Sequence, residues 1–327
     1  MPKLVTIYGG SGFLGRYIAR RMAKQGWRVR VAVRRPNEAT FVKPYGTVGQ
    51  VEPIFCNIRD DSSVAAALSG ADAVVNCVGT FDRTGRNNFD AVQHEGAERI
   101  ARLAAQHGIA TLVHVSAIGA DTNGQSEYSV SKGKGEEGVL SHMPGAVILR
   151  PSVMFGNEDG FFNRFAAMAK FGPFLPIVGG TTKFQPVYVD DVAKAVERAV
   201  TSGTMKGTYE LGGPEVSSLR ELIDLMLGTI QRKRIVVDLP FGIGKFMGSA
   251  LDMAFAATFG LFKNTILTRD QAVSLQTDNI ASGELPGLAA FGIDPTPMEG
   301  VIETYLWPYR PSGQFASIKN SAGKLKA

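Results

Sequence analysis

Residues 4–16 read Leu-Val-Thr-Ile-Tyr-Gly-Gly-Ser-Gly-Phe-Leu-Gly-Arg: a short apolar strand, a glycine turn, then the first turn of an amphipathic helix. That order opens a strand-turn-helix unit and commits the rest of the chain to an α/β fold. Gly9, Gly12 and Gly15 stand three apart. The first suits a tight turn, the second lets backbone approach a pyrophosphate, and the third lets helix pack closely on strand. The N-terminus of the helix then aims unpaired N–H groups at the phosphates. On this reading Gly9, Ser11, Gly12, Phe13, Leu14 and Gly15 bind a dinucleotide.

The helix runs from Phe13 to Gln25 with Gly26 as its stop, and Arg28–Val33 reads as a second strand ending in Arg34-Arg35-Pro36. An acidic residue at that end would bond the ribose 2′-hydroxyl of NAD, whereas arginine accommodates the 2′-phosphate of NADP. Val31 to Pro36 contains no acid, so NADP(H) is the expected cofactor and Arg34 its selector. A third strand near Val51–Cys56 leads into Asn57-Ile58-Arg59-Asp60, where adenine is expected, so Asn57 and Ile58 join the site. A helix over 61–68 and a strand over 73–78 come next, closing on Val78 and Gly79. Such alternation marks a Rossmann-type, doubly wound parallel sheet. A chain of 327 residues with 44% hydrophobic side chains can fill this core and a smaller C-terminal α/β lobe. The expected division is a dinucleotide-binding domain over 1–156, its sheet completed by 185–204, a lobe over 157–184 and 205–316, and a flexible basic tail over 317–327.

A helix over 89–107 and a strand over 111–115 bring Ser116 to a strand's carboxyl end, the edge where open α/β sheets meet ligands. Tyr128 and Lys132 come after it, four apart on one face of a helix. Either the lysine lowers the tyrosine pKa and orients a nicotinamide ribose while Ser116 holds a substrate oxygen, or the pair is an exposed tyrosine and lysine on a surface helix.

Cys56 and Cys77 fall in strands without CxxC spacing, and read as reduced core thiols. The four histidines form neither HxH nor HExxH, so no metal is expected. Strand character from the first residues leaves no room for a leader, and points to a cytoplasmic, bacterial chain. The net charge is +5, yet Arg16, Arg20, Arg21, Lys24, Arg28, Arg30, Arg34 and Arg35 crowd the first helix and second strand. They serve a cofactor phosphate, an acidic partner or anionic lipid, or else form a solvated face. No reader motif accompanies them, so nucleic acid is not an expected partner.

The glycine turn, Asn57–Asp60, Asn76-Cys-Val-Gly79, Ser116, Tyr128/Lys132, Leu149-Arg-Pro-Ser-Val-Met-Phe-Gly156 and Pro186-Val-Tyr-Val-Asp-Asp-Val-Ala193 together resemble the extended and atypical short-chain dehydrogenases/reductases. The resemblance implies strand order 3-2-1-4-5-6 and a segment Pro151–Phe155 passing beside the nicotinamide, which adds Pro151, Val153 and Phe155 to the site. One departure stands out. Where the family has an asparagine that shapes a helix and supports a proton-relay water, this chain has Gln93.

The second half narrows the resemblance. Tyr209-Glu-Leu-Gly-Gly-Pro-Glu-Val-Ser-Ser-Leu-Arg-Glu, Thr268-Arg-Asp-Gln-Ala, Thr277-Asp-Asn-Ile, Gly292-Ile-Asp-Pro-Thr-Pro-Met-Glu299 and Tyr305–Phe315 are similar to the short-chain-dehydrogenase-related accessory subunits of respiratory complex I, NADH:ubiquinone oxidoreductase. That resemblance implies an NADPH-binding subunit with an assembly, stability or sensing role. It implies partners among the other complex I subunits near the quinone site, and a peripheral position on the membrane surface, here the cytoplasmic face of a bacterial inner membrane. In that reading the cofactor is held between Gly9–Arg16, Arg34 and the Tyr128/Lys132 pair, with Ser116 beside it, and Ser116, Tyr128 and Lys132 would be vestigial only as catalytic residues. The rival is a free-standing NADP-dependent reductase, epimerase or dehydratase with Tyr128 as acid/base and Lys132 as activator. The apolar stretch 241–262 is too short to span a bilayer, and reads either as an interfacial or partner-docking helix or as a helix buried in the lobe.

Overall fold

A computed structural model describes residues 2–82, 85–243, 246, 249 and 268–315. The chain forms two compact units: residues 1–152, 189–212 and 281–295 in the first, and 153–188, 213–280 and 296–327 in the second.

The first unit is a seven-stranded sheet, every pairing parallel. Its strands are β1 (Leu4–Tyr8), β2 (Arg28–Val33), β3 (Val51–Phe55), β4 (Ala73–Asn76), β5 (Thr111–Val115), β6 (Val147–Pro151) and a seventh, Gly207–Leu211, in the order 3-2-1-4-5-6-7. All residues of β1 and β4 are buried, as expected of strands covered on both faces. Helices α1 (Phe13–Lys24), α2 (Asp61–Leu68), α3 (Glu95–Gln106) and α4 (Glu127–His142) connect them. Val64, Ile100 and Val139 of α2, α3 and α4 share one core with Tyr8, Val74, Leu112 and Ile148 of the sheet.

The doubly wound fold read from the sequence is present, with one difference. Residues 189–202, inside the segment expected to complete the sheet, form a helix, and the strand beside β6 is Gly207–Leu211. A parallel neighbour of β6 needs a crossover, and the helix Val189–Ser202 supplies it. It buries Val192, Val196 and Val200. Arg21 of α1 holds it in place, with guanidinium contacts of 2.6 Å to Asp190 and 3.0 Å to Glu197. Residues 281–295 also belong to this unit: the Ser282 N–H donates to the Glu210 carboxylate at 2.6 Å, and Phe291 packs on Tyr209 with ring centroids 4.7 Å apart.

Among the described residues the second unit contains three strand pairs, two of them only two residues long and one of five. Val187–Tyr188 lies parallel to Met154–Phe155, Ser217–Ser218 antiparallel to Lys183–Phe184, and Ile235–Leu239 parallel to Phe174–Val178. Its core gathers Phe155, Phe162, Leu222, Met226 and Ile302. Ser218 caps the helix Leu219–Thr229 in a capping box with Glu221, which the Ser-Leu-Arg-Glu spacing signals. That helix ends in a Schellman motif. Gln231 N–H bonds Gly228 O, Arg232 N–H bonds Leu227 O, and Gln231 takes φ 54°, a conformation that favours glycine. Of the stretch 241–262, all but residues 241–243, 246 and 249 lies outside the described residues, as does the tail 317–327.

Candidate nucleotide-binding site

Parallel strands deliver their carboxyl ends to one edge of the sheet, and the sequence-selected residues of the first unit collect there. At the end of β1, Gly9 takes φ +78° and its N–H donates to Ala32 O at the end of β2. The Gly12 N–H closes the turn on Gly9 O at 2.9 Å. Gly15 is where α1 meets this turn: a β-carbon there would lie 2.3 Å from Gly9 O. Gly12 is the N-cap of α1, with no side-chain cap bond and no acid in the first turn, so the orphan N–H groups stay available to an anion. Ser11 and Phe13 are partly exposed beside it, while Leu14 is buried beneath.

Neighbouring strand ends complete the edge. Arg34 is exposed just beyond β2. After β3, Cys56 N–H bonds Val33 O, and Asn57 is braced from both sides: its N–H donates to Ser63 Oγ and its Oδ1 accepts from Arg59 N–H. Ile58 packs against the α2–α4 core. The β4 end carries Val78 against Gly9 and an exposed Gly79, with open space where a β-carbon would stand. Pro151 O accepts from Ile118 N–H. Val153 and Phe155 belong to the second unit, where the Phe155 side chain is fully buried against Phe162 and Tyr188. What Phe155 can present to a ligand is therefore backbone.

Tyr128 and Lys132 lie one turn apart on α4, and burial shapes the titration of both. The Lys132 ammonium lies 6.0 Å from the Tyr128 ring centroid and donates to Val115 O at 3.2 Å. Burial drives the Lys132 pKa down to about 8, and drives that of Tyr128 up to about 12, opposite to the lowering that the spacing suggested. Lys132 is 5% exposed, so the surface-pair alternative fails for it as well. Phe81 stacks on the Tyr128 ring at 5.6 Å, and Phe89 meets it edge-on at 5.9 Å. Ser116 is buried, and its Oγ has no hydrogen-bond partner among the described residues. An orphaned hydroxyl at the strand edge and an uncapped glycine turn are features a dinucleotide would satisfy. Such a ligand, when bound, would supply hydride chemistry. The residues placed to hold it are the glycine turn, Arg34, Val78 and Ser116.

Residues 5–212 match the NAD dependent epimerase/dehydratase family. The chain belongs to that family. It is 36% identical over 316 residues to the Arabidopsis thaliana mitochondrial protein named NADH dehydrogenase (ubiquinone) 1 alpha subcomplex subunit 9, covering 95% of this chain and 79% of the relative. To the mitochondrial 40 kDa subunit of NADH-ubiquinone oxidoreductase of Neurospora crassa it is 30% identical over 311 residues, covering 95% and 80%. At these identities it is a member of the same family as both respiratory subunits. In fold it is similar to the Thermus thermophilus UDP-glucose 4-epimerase solved with NAD, with a TM-score of 0.65 at 20% identity over 94% of this chain and 99% of that one.

For this member of the epimerase/dehydratase family the departure at Gln93 has a physical form. Asp90–His94 is a π-helical turn leading into α3, a feature frequent at functional sites. Gln93 is buried inside it, donates through Nε2 to Thr80 O at 3.1 Å, and leaves Oε1 without a partner among the described residues. Gln93 thereby anchors the loop from which Phe81 reaches Tyr128. His114, which sequence reasoning did not select, pairs in register with Asn76 at the end of β4. It is buried on β5, its Nδ1 lies 3.1 Å from Asn76 Nδ2, and burial followed by the Lys132 charge depresses its pKa to about 3. A lone histidine in an apolar strand carries no signal of that neighbour.

Two of the crowded cations are internal struts. Arg21 is paired as above, and Arg30 donates to Ala67 O and Ser69 O. Arg16 folds back on the turn, donating to Ser11 O and Gly12 O with its guanidinium 4.9 Å over the Phe41 ring. Among the described residues no group of three or more His, Cys, Asp or Glu is placed to hold a metal, and no helix is long and apolar enough to cross a membrane.

Proposed function

We propose that this chain is an accessory subunit of NADH:ubiquinone oxidoreductase that holds NADP(H) in its first unit for structure, assembly or sensing rather than turnover. The likeness to two respiratory subunits over 95% of the chain carries this reading. Preference for NADP(H) rests on Arg34 and on the absence of an acid at the end of β2. A binding role without turnover is supported by Tyr128, whose proton is held more tightly than in water, and by a Lys132 ammonium engaged with Val115 O. The chain sits peripherally in this reading, with other complex I subunits as partners, at the cytoplasmic face of a bacterial inner membrane.

The test is to tag the chain in its own host, solubilise the membranes gently and measure NADH:quinone reductase activity and extracted nucleotide in the purified sample. Co-purification in fixed ratio with that activity and with NADP(H) is expected. A soluble chain free of the activity overturns the subunit role, and extraction of NAD(H) instead overturns the cofactor.

A further inference from the structure

The second unit carries a surface that the nucleotide site does not use. Phe174 and Ile235 are register partners in the parallel pair of strands, and Ile235 N–H donates to Pro173 O at 2.9 Å. Both side chains face solvent, 58% and 59% exposed, and Phe171 beside them is 78% exposed. Alternate residues Leu175 and Val236 are buried, so these strands have one core face and one apolar face without cover.

Cations border the apolar side chains. Lys170 and Lys233 are exposed, and Arg234 is tied in by its Nε bond to Ala169 O at 2.8 Å. Lys170 lies 4.7 Å over the Tyr309 ring, and Tyr309 O accepts from Arg232 Nε at 2.7 Å, so the two chain segments that bear the charges are held to a common base. None of Lys170, Lys233 and Arg234 has a carboxylate within 4 Å among the described residues. Acids of this unit have other partners: Asp238, on the same strand as Ile235, is engaged with Gly180 N–H and Arg220, and Asp159 accepts from the Tyr305 hydroxyl. The Gln231 left-handed cap sets the direction in which Arg232–Arg234 leave the helix.

We propose that Phe171, Phe174 and Ile235 insert into an anionic lipid surface while Lys170, Lys233 and Arg234 meet its headgroups. Exposed aromatic and aliphatic side chains ringed by unpaired cations match the two attractions of such a surface, apolar burial at the headgroup boundary and a negative potential. A partner protein with an apolar centre and an acidic rim would cover the same side chains, and vesicle binding distinguishes it from lipid. This names the lipid-facing side of the membrane-proximal subunit proposed above, and rests on that reading for where the chain meets a membrane.

The test uses the full chain, sedimented with phosphatidylcholine vesicles with and without phosphatidylglycerol, in low and high salt, alongside an NADPH titration of the same preparation. Binding is expected to the anionic vesicles only, and to weaken with salt. Two charge neutralisations, Lys170→Gln with Lys233→Gln, lower partitioning about 25-fold, from roughly fivefold per basic residue at an anionic surface. Phe171→Ser with Phe174→Ser lowers it about tenfold or more. Both variants change exposed side chains, and their unfolding curves verify that they fold. Equal partitioning of all three proteins, or none by the wild type, overturns the proposal. Failure of the variants to join the respiratory complex, with no vesicle binding by the wild type, assigns the surface to a protein partner and overturns it too. Loss of NADPH binding with vesicle binding intact would strike the nucleotide reading alone.

Discussion

Replacing Gly15 by alanine tests the glycine turn directly. The added methyl would stand 2.3 Å from Gly9 O and 2.6 Å from Gly10 Cα, both backbone atoms that no rotamer change can move aside. Overpacking of this kind costs about 1–3 kcal/mol, and rigid backbone on the opposing side places Gly15→Ala at the upper end. Alanine returns about 1 kcal/mol of helix propensity, which leaves a net loss of about 2 kcal/mol and a Tm lower by roughly 4–8 °C for a unit of this size. The methyl is accommodated by tilting α1 away from the turn, which moves the N–H groups that would face the phosphates, and NADPH affinity falls with it. Gly228→Ala is the matched control, since it lies on the helix Leu219–Thr229 with nothing within 4 Å of the new methyl. The same substitution there stabilises by about 1 kcal/mol. Urea unfolding and NADPH titration by fluorescence read both variants. If Gly15→Ala unfolds at the wild-type urea concentration and binds NADPH equally well, close approach is not what the turn requires.

Arg34→Asp weakens NADPH by about 30-fold through loss of a charge-assisted bond to the 2′-phosphate while NADH changes little, and an equal loss of both cofactors in calorimetry refutes the selector role. Under the binding-subunit reading Tyr128→Phe leaves NADPH affinity and complex I activity near wild type; loss of electron transfer in membranes from that strain would restore a catalytic tyrosine. His114 has a folded pKa of about 3, below the ordinary 6.5. The unfolded chain therefore binds the proton first, so this contribution to stability is complete above pH 6.5 and is lost as pH falls toward 3, by about 1.4 kcal/mol per pH unit. Urea unfolding across that range should show a shallower dependence for His114→Gln, and an unchanged slope would mean the ring charges without penalty. Gln231→Gly relieves the left-handed cap and stabilises the second unit by about 1 kcal/mol, read as a raised Tm; no gain would show that the Gln231 side chain compensates its backbone.

Strands β1, β4 and β5 were legible because they are buried almost throughout and read as apolar runs, β2 because Val29, Val31 and Val33 alternate with Arg28, Arg30 and Ala32, and the turn because only glycine tolerates the approach at Gly15. Ser116, Val78 and Arg34 were legible as strand ends. The seventh strand was not. Gly207–Leu211 reads Gly-Thr-Tyr-Glu-Leu, and its buried Glu210 owes its place to a Ser282 N–H from a distant loop. Tyr128 and Lys132 show the limit most clearly. Spacing put them on one helix, but their protonation is set by burial, opposed at Lys132 by Glu136 and Cys77, and Phe81 and Phe89 reach the Tyr128 ring from outside that helix. Neither the burial nor the two rings are visible at i and i+4.

The cations make the same point from the other direction. In the sequence the basic character crowds into the first helix and second strand, yet there Arg21 is consumed by Asp190 and Glu197, Arg30 by backbone carbonyls, and Arg16 by the turn it borders. Lys170 and Lys233 are separated by a long stretch of chain and form no cluster in the sequence. The fold brings their segments together through Arg234 to Ala169 and Arg232 to Tyr309, with no carboxylate within 4 Å of Lys170, Lys233 or Arg234 among the described residues. A cation paired at 2.6 Å has little field left for a partner, whereas three unpaired ones beside exposed aromatics keep theirs. In the proposed lipid contact the attraction comes from cations that the second unit assembles from two distant segments, Lys170 and the run Arg232-Lys233-Arg234, while in the first unit Arg21 and Arg30 are spent on holding helix and sheet together.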